Sequence, residues 1–187
     1  MSSGPPPFSH MIPAGDLPTR TDRILVAEAA PEALLAVAAA LGVPKVASLK
    51  LEATISGNGR KGWRVAGRLS AEVEQACVVT LAPMHAQIEE VVERSFVEDA
   101  AALNTDELEI DIDPEDDDPP ELLGDGIDLG AIAVEALALA LDPYPRTPGA
   151  AFDGQVAAPP GAEPLTDEAV KPFAGLAKLK QSMEGGE

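Results

Sequence analysis

Among the 187 residues there is a single cysteine, Cys77, so no disulfide can form within the chain and the composition fits a reducing cytoplasm. Aromatic residues make up only 3%, which leaves the core to be built mostly from small aliphatic side chains. No apolar run approaches the roughly 20 residues that span a bilayer. The opening Met1-Ser-Ser-Gly-Pro-Pro-Pro7 also lacks the charged start and apolar stretch of a signal peptide. Histidine is scarce too: His10 and His85 are the only imidazoles, and neither a phosphate-cradling glycine loop nor a nucleophile elbow occurs. These absences argue against an enzyme, so the sequence nominates no catalytic residue, no cofactor and no metal.

Positive charge is missing from a long stretch. Between Arg94 and Arg146 there is no Lys or Arg, while Glu98 to Asp142 holds sixteen of the 32 acidic residues. With a formal net charge of -19, the chain repels phosphate backbones and lacks the counterion-release drive of a nucleic-acid binder. Basic partners are favoured. Solubility alone would account for a high net charge, and its uneven distribution shifts some weight towards a binding surface.

The apolar periodicity changes along the chain. Residues 1–7 are Pro- and Gly-rich and read as a mobile N-terminus, and Phe8 to Ile12 is apolar enough for one short strand. Pro31 suits a first helical position, and Leu34, Leu35, Val37, Ala38 and Leu41 form an apolar face before Gly42. From Val46 the period becomes two, with Leu49, Leu51, Ala53 and Ile55 on one side, and Gly57 to Gly62 supplies a hairpin turn. Trp63, Val65, Gly67 and Leu69 resume the alternation. Further strands are expected at about 73–81 and 87–97, separated by Ala82-Pro-Met-His85. Leu108, Ile110 and Ile112 alternate with acids, so one side of that segment can pair with the sheet, and the Pro-flanked acidic run beyond it is a loop. Asp128 is placed as an N-cap before a buried helix carrying Leu129, Ile132, Ala133, Leu137, Ala140 and Leu141, with Val134 and Leu139 widening its stripe.

Several residues invite chemistry and mostly decline it. The acids from Asp111 to Asp118 suggest calcium, but a helix-loop-helix calcium site needs Gly where Asp116 stands and Glu where Leu122 stands. Cys77, on a strand and without a base beside it in sequence, reads as a small buried hydrophobe. Trp63 with Arg64 and Arg68 resembles a stacking and gripping set, yet one aromatic is too few for a platform, so Trp63 is assigned to packing.

Three stretches taken in order resemble the YceD family, the large ribosomal RNA subunit accumulation proteins of bacteria and plant organelles. They are Val65 to Pro83, the Ile127 to Arg146 helix and Pro-Tyr-Pro-Arg turn behind an acidic segment, and the terminal Lys171 to Lys180. The resemblance covers most of the chain from about Leu49 onward, and the turn looks alphaproteobacterial. It implies a non-enzymatic cytoplasmic role in making or stabilising large-subunit ribosomal RNA, with a link to large-subunit proteins. Many relatives carry Cys-x-x-Cys where this chain has Cys77-Val-Val-Thr80, and some carry His and Cys where it has Arg146-Thr-Pro-Gly149. One cysteine cannot assemble a thiolate-rich tetrahedral zinc site, so ordinary packing must serve here.

The expected architecture is therefore α+β: a central antiparallel sheet or small barrel with a buried helix packed on it and a shorter N-terminal helix. One domain should span 8–152, with an acidic loop at 113–121, a flexible linker at 153–171 and a short basic amphipathic tail at 172–187. Candidate partner-binding residues are Glu115, Asp116, Asp117 and Asp118 together with Arg64, Arg68 and Arg146. The favoured partner is a basic large-subunit ribosomal protein, not a membrane or DNA. The alternative is precursor ribosomal RNA held by Arg60, Lys61, Arg64, Arg68 and the tail lysines Lys178 and Lys180.

Overall fold

The structure, a computed structural model, describes residues 6–58, 62–99 and 119–150. The chain divides into two units, 1–148 and 149–187, and the description below concerns the first. In chain order its elements are β1 (Met11–Pro13), a 3-10 turn (Ala14–Asp16), β2 (Arg23–Glu28), α1 (Pro31–Leu41) and β3 (Lys45–Gly57). They continue with β4 (Gly62–Ala76), β5 (Pro83–Val97), β6 (Glu121–Leu122), β7 (Gly126–Asp128) and α2 (Leu129–Ala140). The fold is α+β, with two helices, a five-stranded sheet in the order β2-β3-β4-β5-β6 and a separate β1–β7 pair.

The period-two segments form the middle of the sheet, as their alternation requires. Leu49, Leu51, Ala53 and Ile55 face the core and pair with Ala71, Leu69, Gly67 and Val65 of β4. Val46 is also buried although it lies three residues from Leu49, because the register shifts between Val46 and Ser48. One extra residue there returns Val46 to the core face, as a bulge does. Gly67 is needed for closeness: a Cβ on it would stand 2.5 Å from the carbonyl oxygen of Glu52.

Several expectations need correction. The sheet is mixed rather than antiparallel, since β6 runs parallel to β5 at Phe96 and Val97, and among the described residues β2 and β6 do not pair to close a barrel. The strand expected at about 73–81 is the end of β4 followed by a turn, and Pro83, Met84 and His85 belong to β5 rather than to a connection. Leu81 takes a left-handed φ of 59° and donates its N–H to Cys77 O at 2.9 Å, so Val78 and Leu81 are carried into solvent. Apolar residues in a turn mimic a strand pattern. β2, β7 and the β1–β7 pairing were not anticipated; Ile24 and Val26 lie on the solvent face of β2 and blur its alternation. The stretch from Leu108 to Ile112 lies outside the described residues, as do the N-terminal residues 1–5, the linker and the tail.

Both helices form where the caps place them. Pro31 opens α1, and Gly42, at φ 66°, ends it with its N–H on Ala38 O and Ala39 O. Leu34, Val37, Ala38 and Leu41 contribute to the core, whereas Leu35, expected on the apolar face, is 74% exposed. In α2, Leu129, Ile132, Ala133 and Leu137 are buried among residues of the sheet, and Leu139, expected to widen the stripe, is 75% exposed.

Asp128 ties the start of α2 to the N-terminal segment. Its Oδ1 accepts from Gly130 N at 2.9 Å, Ala131 N at 3.1 Å and His10 N at 2.7 Å, and its Oδ2 from Ser9 Oγ at 2.7 Å. Burial pushes its carboxyl up, but the Ser9 hydroxyl and the three N–H donors outweigh burial and hold it below the usual carboxylate range. A depressed folded pKa stabilises the fold above the unfolded value, near 3.9, and that contribution disappears as pH falls through the folded value. Asp128→Ala should thus cost about 1–2 kcal/mol at pH 7. In urea titrations the gap from wild type should narrow towards pH 2; a gap independent of pH would show that the carboxylate charge plays no part.

Candidate partner-binding surface

The sheet has one core face and one outer face, and the candidate residues Arg64 and Arg68 are on the outer one. Arg64 Nη2 lies 2.7 Å from Glu93 Oε2 and Arg68 Nη1 lies 3.8 Å from Glu89 Oε2, each ion pair running from β4 to β5. On β3, Lys50 pairs with Glu52. By register this face carries four basic residues, Lys45, Lys50, Arg64 and Arg68, against six acidic ones, Glu28, Glu52, Glu72, Glu74, Glu89 and Glu93. It is therefore not a basic platform. Exposed pairs of this kind contribute roughly 0–1 kcal/mol each, so they shape the field more than they hold the fold.

Arg146 does not join them. Pro145 O accepts from Val78 N at 2.9 Å and Thr147 N donates to Cys77 Sγ at 3.4 Å, which fixes Arg146 beside the β4–β5 turn. Arg64 lies thirteen residues before Cys77, near the other end of β4 and roughly 40 Å away at strand rise. The acidic candidates Glu115, Asp116, Asp117 and Asp118 lie outside the described residues, as do Arg60, Lys61, Lys178 and Lys180. Both stems of the acidic segment are in view, however: β5 ends at Val97, and β6 returns beside Phe96 and Val97, opposite Trp63 and Gly62. They emerge at the Arg64 end of the sheet, far from Arg146.

Arg94 escaped the sequence reading. It is on the core-side parity of β5, with Nε 3.5 Å from Glu121 Oε1 and Nη2 3.6 Å from Glu135 Oε1, joining β5, β6 and α2. The available signal was its position as the last cation before the long base-free stretch.

Trp63 is buried and donates Nε1–H to Pro18 O at 3.0 Å, which makes it a packing residue rather than a stacking surface. Cys77 is also buried, as expected. Its sulfur accepts from Thr147 N and, at 3.5 Å, from Thr80 N; contacts from Thr147 first and Thr80 second hold the thiol below the usual cysteine range against the opposing effect of burial. The Thr80 and Thr147 hydroxyls are 3.4 Å apart. One soft donor and two hydroxyls do not fit the thiolate-rich zinc site implied by the family's cysteines. Hydrogen bonds from Thr80 and Thr147 occupy the sulfur instead.

Residues 65–180 match the family model described as Large ribosomal RNA subunit accumulation protein YceD. The chain belongs to the YceD family. No curated protein and no solved structure matches it. As a YceD member it carries a family name tied to large-subunit ribosomal RNA, and among the described residues no helix is long and apolar enough to cross a membrane.

Proposed function

We propose that this YceD protein supports accumulation of large-subunit ribosomal RNA without catalysing a reaction, by holding a basic large-subunit ribosomal protein against its acidic surface in the cytoplasm. The observation that carries the proposal is the concentration of sixteen acids, with no Lys or Arg, between Arg94 and Arg146. Supporting it, the outer sheet face holds more carboxylates than cations, and Arg64 and Arg68 are engaged by Glu93 and Glu89. Such a field attracts basic proteins and disfavours phosphate backbones.

The test changes charge with little effect on folding. Glu115→Gln combined with Asp116→Asn, Asp117→Asn and Asp118→Asn removes four charges and alters none of the described residues. The variant should melt like wild type but lose co-purification with large-subunit proteins, and the salt dependence of that binding should flatten, because exposed charges act over a Debye length of about 8 Å. Unchanged co-purification together with normal ribosomal RNA levels would refute the proposal. Salt-dependent binding of the wild-type chain to RNA alone, with no ribosomal protein present, would favour the RNA alternative.

A further inference from the structure

β5 is fifteen residues long and is paired along its whole length by β4, but on its other side β6 covers only Phe96 and Val97. From Pro83 to Ser95 no described strand lies against that edge. A long edge of unpaired backbone groups is a template for another strand, and proteins usually blunt such edges with charge, proline or bulges. Here the β4–β5 register is unbroken, so no bulge turns the edge away. Charge is present: Glu89 and Glu93 are paired with Arg68 and Arg64 across to β4, Arg94 is held by Glu121 and Glu135, and Glu90 adds a further acid.

Beside the edge is a cleft of about 250 Å³ between β5 and α2, with Val92, Ala136, Leu139 and Ala140 as its apolar lining and Glu90 and Arg94 at its sides. Leu139, 75% exposed, and Val91, 65% exposed, leave apolar surface on both sides of the edge. Glu90 makes no ion pair among the described residues. An added strand alternates its side chains, placing every second one towards the cleft and the others towards the outer face beside Glu89 and Glu93. A cation opposite Glu90 and an aliphatic residue two positions along, opposite Val92, would fill the cleft side. Further cations on the intervening positions would have to share Glu89 and Glu93 with Arg68 and Arg64, so Glu90 is the acid that sets the preference. Opposite charges across a strand pair stabilise it and like charges destabilise it, so the edge favours a basic strand over a second copy of itself.

We propose that the β5 edge and the β5–α2 cleft form a docking site for an extended segment of a basic protein, in which Lys or Arg is interspersed with aliphatic residues so that the cleft side receives both, and which adds to the sheet as a strand. The proposal rests on the acidic-surface reading above and gives it a location separate from residues 115–118.

The probe is the acetylated and amidated heptapeptide Leu-Lys-Lys-Leu-Leu-Lys-Leu, which can set its third residue opposite Glu90 and its fifth opposite Val92, added to the full chain with amide hydrogen exchange followed along β5. Slowed exchange across residues 84–95, perturbed Leu139 signals and binding weakened by about fivefold or more in Glu90→Lys, which should melt like wild type, are the expected results. N-methylation of alternate peptide bonds keeps the charge but removes strand donors, and should abolish binding. Equal binding by the N-methylated peptide would reduce the contact to general electrostatics and overturn the proposal. So would protection of the same amides in the free protein, whether from a second copy or from the chain's own residues 100–118. If the edge fails while the 115–118 variant still loses its ribosomal partner, the functional reading survives and only this location is lost; if the edge binds while that variant loses nothing, the reverse holds.

Discussion

Leu137→Asp should leave the domain largely unfolded at ordinary temperature. Leu137 is wholly buried, on the face of α2 that also carries Leu129, Ile132 and Ala133. Removing a buried leucine side chain typically costs about 2–5 kcal/mol, and the carboxylate adds the cost of placing a polar or charged group where no hydrogen-bond partner waits. The sum rivals the 5–15 kcal/mol by which domains are stable at all. Leu139→Asp is the control on the same helix. Its side chain is in solvent, so its melting temperature should stay close to that of wild type, within about 0.5 kcal/mol in stability. Thermal melts followed by circular dichroism decide the matter: a Leu137→Asp protein that melts with wild type would mean α2 does not close the core.

The difference between these two leucines also shows how far sequence carries. The caps of α2 were legible because Asp128 and the spacing of Leu129, Ile132, Ala133 and Leu137 are local facts, governed by the orphan N–H groups and the 3.6-residue period. The exposure of Leu139 and Leu35 was not, because a helix with apolar residues on nearly every side gives no direction to its buried stripe. In the sheet, the β3–β4 hairpin was legible from a clean alternation. β2 was not, since Ile24 and Val26 are apolar on the solvent side and the strand reads as neither half-buried nor loop. The Cys77 to Ala82 turn hid for a related reason: its shape depends on a left-handed Leu81 and on Thr147 reaching back from seventy residues away, and neither leaves a local pattern.

The candidate surface was legible in kind but not in arrangement. Charge is a sum over sequence, so the acidic excess could be read directly, and Arg64 and Arg68 could be placed on alternate positions of one strand. Their neutralisation by Glu93 and Glu89 depends on the β4–β5 register, which no periodicity specifies. Arg146 likewise looked like a partner for them until the hydrogen bonds around the β4–β5 turn fixed it at the far end of β4. The β5–α2 cleft, joining segments some forty residues apart in sequence, had no sequence signature at all.

Gly130→Ala should be destabilising even though alanine is ordinarily the better helix former by about 1 kcal/mol. Gly130 is in the first turn of α2, and a Cβ added there would stand 2.7 Å from both His10 N and Ser9 Cα and 2.8 Å from Ser9 C. All three are backbone atoms, so no side chain can swing aside. Nor can the 9–10 segment retreat easily, because Ser9 and His10 both donate to Asp128, and His10 O accepts from Leu129 N at 3.1 Å. Relief requires stretching this cluster or tilting α2 off the core, and overpacking of this kind costs about 1–3 kcal/mol. Gly15 provides the comparison, since its added Cβ meets nothing within 4 Å and its backbone needs no left-handed conformation. Gly15→Ala should therefore be neutral, or stabilising by up to about 1 kcal/mol through the unfolded chain's lost freedom. Urea denaturation of the two variants side by side tests the argument through the opposite signs expected: a Gly130→Ala protein as stable as Gly15→Ala would mean that the N-terminal segment is not clamped against α2.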